Sequence, residues 1–214
     1  MLKVLAGAAG SLLLASTAMA HEVWIERDVG GPARIFLGEP DYPRPVGADP
    51  EFPKLKAPVV FTDDPSKPAA LTRKADHIEA AVQGSGDVRL VDANVFEPDA
   101  TPDGGFTGRI YYARAGRSET RSALDFEVLP SSPGSDQFQI LFKGQPVREG
   151  VRIINPEGWV RNIRSDAEGR FSVPSPWKGR YLVMVDHKDD AGATLFGKPV
   201  KSVTHITTIS FTVP

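Results

Sequence analysis

Histidine is the residue type best placed to do chemistry in this 214-residue chain, and there are four: His21, His77, His187 and His205. Cysteine is absent, which excludes disulfides, thiolate metal sites, cysteine nucleophiles and a lipid-modified cysteine. No G-x-S-x-G, H-E-x-x-H or Walker loop occurs. No carboxylate pair has a spacing that singles it out for glycoside hydrolysis. What the side chains offer is imidazole ligation of a soft or borderline cation.

His21 carries the sharpest expectation. Residues 1–20 read as a secretory signal, with Lys3 as the positive start, a short apolar run over 4–14 and the A-x-A site Ala18-Met19-Ala20. Cleavage after Ala20 makes His21 the first residue of the mature protein. An N-terminal histidine has two nitrogens, the α-amine and imidazole Nδ1, that close a chelate ring on one cation. They titrate near pH ~8 and ~6.5, so neither proton is hard to displace at neutral pH.

His187 and His205 are linked by register. Tyr181, Val183, Val185 and His187 share one face of a strand, and His205, Thr207, Ile209 and Phe211 share one face of another. An antiparallel pairing that opposes Tyr181 to Phe211 also opposes Val183 to Ile209, Val185 to Thr207 and His187 to His205. A one-residue slip would turn the apolar set outward. Directly opposed residues have Cβ atoms ~4.5–5.5 Å apart, close enough for two imidazoles to share a cation. His77 stands among charges in Lys74-Ala75-Asp76-His77-Ile78-Glu79 and is expected to be solvated. Glu22 and Glu26 alternate with Val23 and Ile25 and are expected to point away from the core. Trp24 shares their face and either shields the N-terminus or packs against the following domain. Asp186, Asp189 and Asp190 flank His187; one of them could orient an imidazole.

Positioning these residues falls to β-strands. Nineteen prolines and twenty glycines punctuate runs rich in Val, Ile, Phe, Tyr and Thr. The expected strands are 23–27, 33–37, 59–62, 88–95, 108–113, 123–129, 137–142, 151–154, 159–163, 170–173, 181–187 and 203–213. One short helix is expected over 74–82, and long loops over 38–58, which holds six prolines, and over 188–204. The fold class is all-β, with two Ig-like or transthyretin-like β-sandwiches after the signal. The polar, turn-forming residues 131–136 mark the boundary, giving an N-terminal sandwich over 21–130 and a C-terminal one over 137–214.

Removing the signal takes away one Lys and leaves a net charge near −3. There is no basic stripe for nucleic acid and no polybasic membrane patch. No second apolar run reaches spanning length, so no membrane insertion is expected after cleavage. An exported, cysteine-free, soluble chain suits the periplasm.

Two resemblances add to this. The run Gly144-Gln145-Pro146-Val147, then Ser165-Asp166-Ala167-Glu168-Gly169-Arg170-Phe171, then Gly179-Arg180-Tyr181 resembles the carboxypeptidase-regulatory or transthyretin-like sandwich, which implies a fold and no function. The opening His21-Glu22-Val23-Trp24-Ile25-Glu26 resembles the DUF4198 family. So do Tyr111-Tyr112-Ala113-Arg114-Ala115-Gly116 and the closing pair of strands around His187 and His205. The match is patchy between Asp41 and Gly105. That family is associated with periplasmic nickel or cobalt uptake. The resemblance implies metal handling, with His21, His187 and His205 at matching motif positions.

The sequence therefore leads to a non-enzymatic periplasmic protein that binds a divalent transition metal, Ni, Co, Cu or Zn, through His21, His187 and His205. Its expected partners are the metal ion and an outer- or inner-membrane metal transporter. Raw affinity favours Cu²⁺; a Cu(I) role is disfavoured because Met184 is the one methionine outside the signal. The rival reading is a metal-free module for adhesion, carbohydrate binding or receptor partnership. A third, a copper oxidase built on the N-terminal histidine, lacks any recognisable substrate surface.

Overall fold

The computed structural model describes residues 21–28, 30–40 and 47–214. The expected signal, residues 1–20, and part of the proline-rich loop lie outside the described residues. In chain order the strands are β1 (Glu22–Arg27), β2 (Ala33–Gly38), β3 (Val59–Phe61), β4 (Ala70–Arg73), β5 (Ile78–Ala81), β6 (Val88–Asp92), β7 (Asp99–Ala100), β8 (Phe106–Ala115) and β9 (Phe126–Pro130). They continue with β10 (Gln137–Phe142), β11 (Gln145–Pro146), β12 (Gly150–Ile154), β13 (Val160–Arg164), β14 (Arg170–Ser172), β15 (Gly179–Asp189), β16 (Ala193–Leu195), β17 (Lys198–Val200) and β18 (Ser202–Val213). Among the described residues there is no α-helix, only a 3₁₀ turn at Phe52–Lys54, and no helix long and apolar enough to cross a membrane. The fold is all-β, as expected.

An eight-stranded sheet forms the middle of the molecule, in the order β13-β12-β15-β18-β8-β6-β3 with β7 added beside β8. Its pairings are antiparallel except for β18 with β8, which run parallel from Ser202–Thr107 to Ser210–Ala115. Strand alternation gives this sheet two apolar faces. One face, with Tyr111, Ala113 and Ile206, joins the core of the β1-β2-β5-β4 sheet. The other, with Tyr112, Val183, Val185, Ile209 and Phe211, joins the core under β9, β10 and β14. Residues 131–136 form the turn between the paired strands β9 and β10. Strands from before and after that turn share the central sheet through β8 and β18.

β1 meets the sheet edge-on. Val23 and Ile25 face the first core, while Trp24 packs on Ile154, Leu182 and Met184 of β12 and β15. Thr208 Oγ1 donates to the Val23 carbonyl at 2.8 Å, and the Ser210 hydroxyl donates to that of Ile25. Hydroxyls of β18 thus satisfy a strand edge that would otherwise carry unpaired acceptors.

Three expectations need correction. The helix over 74–82 is strand β5, because Ile78 and Ala80 are buried at a period of two, as the first core requires. Residues 188–204 are not one loop: β16 and β17 make a hairpin whose turn holds Phe196 and Gly197 at φ 51° and 71°. Glu22 and Glu26 do not face solvent; they are 8% and 6% exposed, since both sides of β1 are covered.

Candidate functional site

The expected register is the observed one. β15 and β18 pair antiparallel with Tyr181 opposite Phe211, Val183 opposite Ile209, Val185 opposite Thr207 and His187 opposite His205. The two imidazoles lie on the face shared with Tyr112 and Phe126. Phe142 of β10 sits against both, its ring centroid 4.4 Å from His187 and 4.8 Å from His205.

Each ring is held through Nδ1. His187 Nδ1 is 2.8 Å from Glu149 Oε1. A carboxylate can only accept, so Nδ1 carries a proton, and it is the Nε2 atom whose lone pair the neutral ring presents. No hydrogen bond to His187 Nε2 is made by the described residues. His205 Nδ1 is 3.1 Å from the Tyr112 hydroxyl, and the two rings stack at 5.8 Å and 18°. The phenol serves as donor or acceptor, so His205 Nε2 can present its lone pair too. That nitrogen is 4.0 Å from Asp189 Oδ2. Asp189 is in turn 2.9 Å from Lys143 Nζ, which holds its carboxyl below the usual range.

Burial lowers the His205 pKa to about 4; the Asp189 charge works against this, and Lys143 and His187 add to it. His205 is therefore neutral at physiological pH, the form that ligates a cation. An imidazole tethered to a carboxylate through one nitrogen and open at the other is the arrangement that orients ligating histidines.

The third expected ligand lies elsewhere. His21 precedes β1, on the opposite face of the central sheet, with Nε2 3.2 Å from Asp49 Oδ1 and its ring 6.0 Å from that of Phe96. The hydrogen-bonded sheet stands between His21 and the His187–His205 pair. His77 is separate again: Nδ1 is 2.7 Å from Asp76, its ring is 5.4 Å from Phe36, and Nε2 is buried without a hydrogen bond. Among the described residues no three His, Asp or Glu side chains form a group that could hold a metal ion. The pair thus supplies two imidazole donors, with Asp189 the nearest carboxylate to His205.

Sequence reasoning missed Glu149, Tyr112 and Phe142. Glu149 lies in an exposed, charged stretch, and nothing in its neighbours marks it as the partner of His187. Tyr112 does sit in the quoted Tyr111–Gly116 motif, on the β8 face that meets β9. Also unanticipated is Glu22, whose Oε2 is buried without a partner. Desolvation pushes its carboxyl up to about 8, moderated by Arg152 and reinforced by Asp186, so it is protonated at neutral pH.

Compared with protein-family models, curated proteins and solved structures, the chain matches none.

Proposed function

We propose that this protein binds a divalent transition metal, nickel, cobalt, copper or zinc, as a periplasmic accessory of metal uptake, with His187 and His205 as its imidazole ligands. The observation that carries this reading is the cross-strand pair itself: two opposed histidines, each anchored at Nδ1 and each with Nε2 left for a cation. Imidazole donors suit these four ions and not Mg²⁺ or Ca²⁺. Asp189 is the carboxylate that completes a third position once it leaves Lys143. His21, with Asp49 beside it, makes a second and separate position, in which the α-amine freed by signal cleavage joins the imidazole. The role is binding and transfer to a membrane transporter, with no catalytic residue.

The experiment is a calorimetric titration of the processed protein with Ni²⁺, Co²⁺, Cu²⁺ and Zn²⁺, repeated on His187→Ala, His205→Ala and His77→Ala. The reading expects the first two to lose the tightest binding step comparably and the third to keep it. Equal affinity in all four proteins would remove His187 and His205 from the metal.

A further inference from the structure

Away from the histidines, at the β12–β13 end of the central sheet, two of the three tryptophans are exposed. Trp159 is 73% and Trp177 47% accessible, against 4% for Trp24. Exposing two indoles forgoes the burial that normally makes tryptophan favourable. Both line one groove of about 460 Å³, together with Pro176, Asn155, Glu157 and Arg161. That volume is within the range of small-molecule sites.

Both indoles sit on fixed turns. Asn155 Oδ1 accepts from the backbone N–H groups of Glu157 (3.1 Å) and Trp159 (2.8 Å), and Asn155 N–H donates to the Trp159 carbonyl. On the other side, the Trp177 N–H donates to the Tyr181 hydroxyl at 3.1 Å, and the Tyr181 ring is stacked on Phe211. The two turns touch each other. Gly179 has φ +121°, and a Cβ there would lie 2.7 Å from Pro156 Cβ. The groove is therefore preorganised, so a ligand need not order it.

We infer that this groove binds a neutral oligosaccharide built from pyranose rings with equatorial hydroxyls. Such a ring has a C–H face that stacks on an indole and a rim of hydroxyls that both donate and accept. The groove matches both halves of that pattern, with tryptophan faces for the ring and Glu157, Arg161 and Asn155 for the hydroxyls. A proline-rich peptide, the other common guest of aromatic grooves, fits less well. Its backbone offers carbonyl acceptors and few donors, which leaves the acceptor-only carboxylate of Glu157 unmatched. A wholly apolar partner would leave Glu157 and Arg161 desolvated.

The test titrates the processed protein with cellohexaose, chitohexaose and xylohexaose, followed by calorimetry and tryptophan emission. A decapeptide of prolines serves as the competing guest. Because Trp24 is buried, an emission change reports the two exposed indoles. At least one hexasaccharide should bind and shift the emission. Trp159→Ala and Trp177→Ala should each weaken that binding by about tenfold or more at an unchanged melting temperature, and Glu157→Gln should weaken it less. Three results would overturn the inference: no hexasaccharide binding at millimolar concentration, alanine variants that bind like the parent, or an emission shift with the proline peptide alone.

Discussion

Two clusters of polar side chains are attached to the central sheet, and they are built on opposite plans. In the first, Arg89 and Arg114 are fully buried with Glu127 and Asp87. Glu127 Oε1 accepts from Arg89 Nε and Arg114 NH1, both at 2.8 Å, while its Oε2 accepts from the N–H groups of Ala123 (2.8 Å) and Leu124 (3.1 Å). Asp87 takes Arg114 and the Ser118 N–H and hydroxyl, and Arg89 also reaches Glu119. Every charge is answered from within, and the loop between β8 and β9 is closed down by it. In the second cluster each imidazole is hydrogen-bonded through Nδ1, while His205 Nε2 has only Asp189 at 4.0 Å; under the proposed function the Nε2 atoms take the metal. Inward satisfaction makes architecture; incomplete satisfaction makes a site.

The comparison breaks first at Glu127. Glu127→Ala removes the carboxylate that Arg89 and Arg114 share, leaving each buried guanidinium with one carboxylate, Glu119 or Asp87, and should cost about 3–5 kcal/mol of folding stability, more than any histidine substitution. Urea unfolding measures it, and a loss within that of His187→Ala would mean the network holds nothing.

Next in size is metal. A ligand bound to the native state at a hundredfold excess over Kd adds about 2.7 kcal/mol. That stabilisation should appear as a raised Tm in the parent and in His77→Ala. In His187→Ala and His205→Ala it should shrink to the smaller rise that the separate His21 position supplies. Metal should raise the Tm of Glu127→Ala by as much as that of the parent and leave the difference between the two unchanged, since the two clusters share no ligand.

The third effect separates the clusters by pH. His205 has its folded pKa held at about 4 by burial, below the ~6.5 of an unfolded histidine. Between those values the unfolded chain takes up a proton that the folded one refuses. Stability from this group is therefore full above pH ~6.5 and falls away as pH drops toward 4. For Asp87, burial pushes the pKa up, but Arg114 and the Ser118 hydrogen bonds outweigh it and leave the carboxyl below its ordinary range. Its contribution is present above pH ~3.9 and is lost only as pH falls below that. In metal-free protein Glu22, protonated in the fold up to about pH 8, gives an opposite slope over the same range, so the histidine contribution is read as the difference between the acid titrations of the parent and His205→Phe. That variant, which keeps a ring against Tyr112 and Phe142, should remove the histidine slope from the upper part of the curve and leave the lower part alone. An unchanged slope between pH 6.5 and 4 would sink the assignment.

The histidine pair was legible in the sequence and the charge network was not. Tyr181, Val183 and Val185 alternate in one strand, and Ile209 and Phe211 in the other, so a single register pairs the apolar positions and brings His187 opposite His205. Arg89, Arg114 and Glu127 lie in equally alternating strands, but a charged residue in a strand normally means a solvated face. Their burial follows from a third layer, the sheets on either side of the central one, which no local pattern announces. The same layering misled the reading of Glu22 and Glu26. Short edge strands were missed for a simpler reason: β4 is exposed throughout and β7 and β11 have two residues each, too few to show a period.

The smallest expected effect is at the N-terminus, and it decides whether the metal positions are one or two. His21 lies beside Asp49 across the sheet from the histidine pair. An extra alanine ahead of His21 converts its α-amine to an amide and removes that donor. If the positions are separate, the extended protein should keep the affinity and stoichiometry of the His187–His205 step and lose only a weaker second step. Hydrogen exchange should agree: metal at low stoichiometry should protect β15 and β18 near residues 187 and 205, and protect β1 only at higher loading. If the extension weakens the first step by about tenfold or more, or the first equivalent of metal protects β1 along with β15 and β18, the three histidines share one ion. The N-terminal segment would then have to leave its place beside Asp49 and pass around the edge of the sheet to reach it.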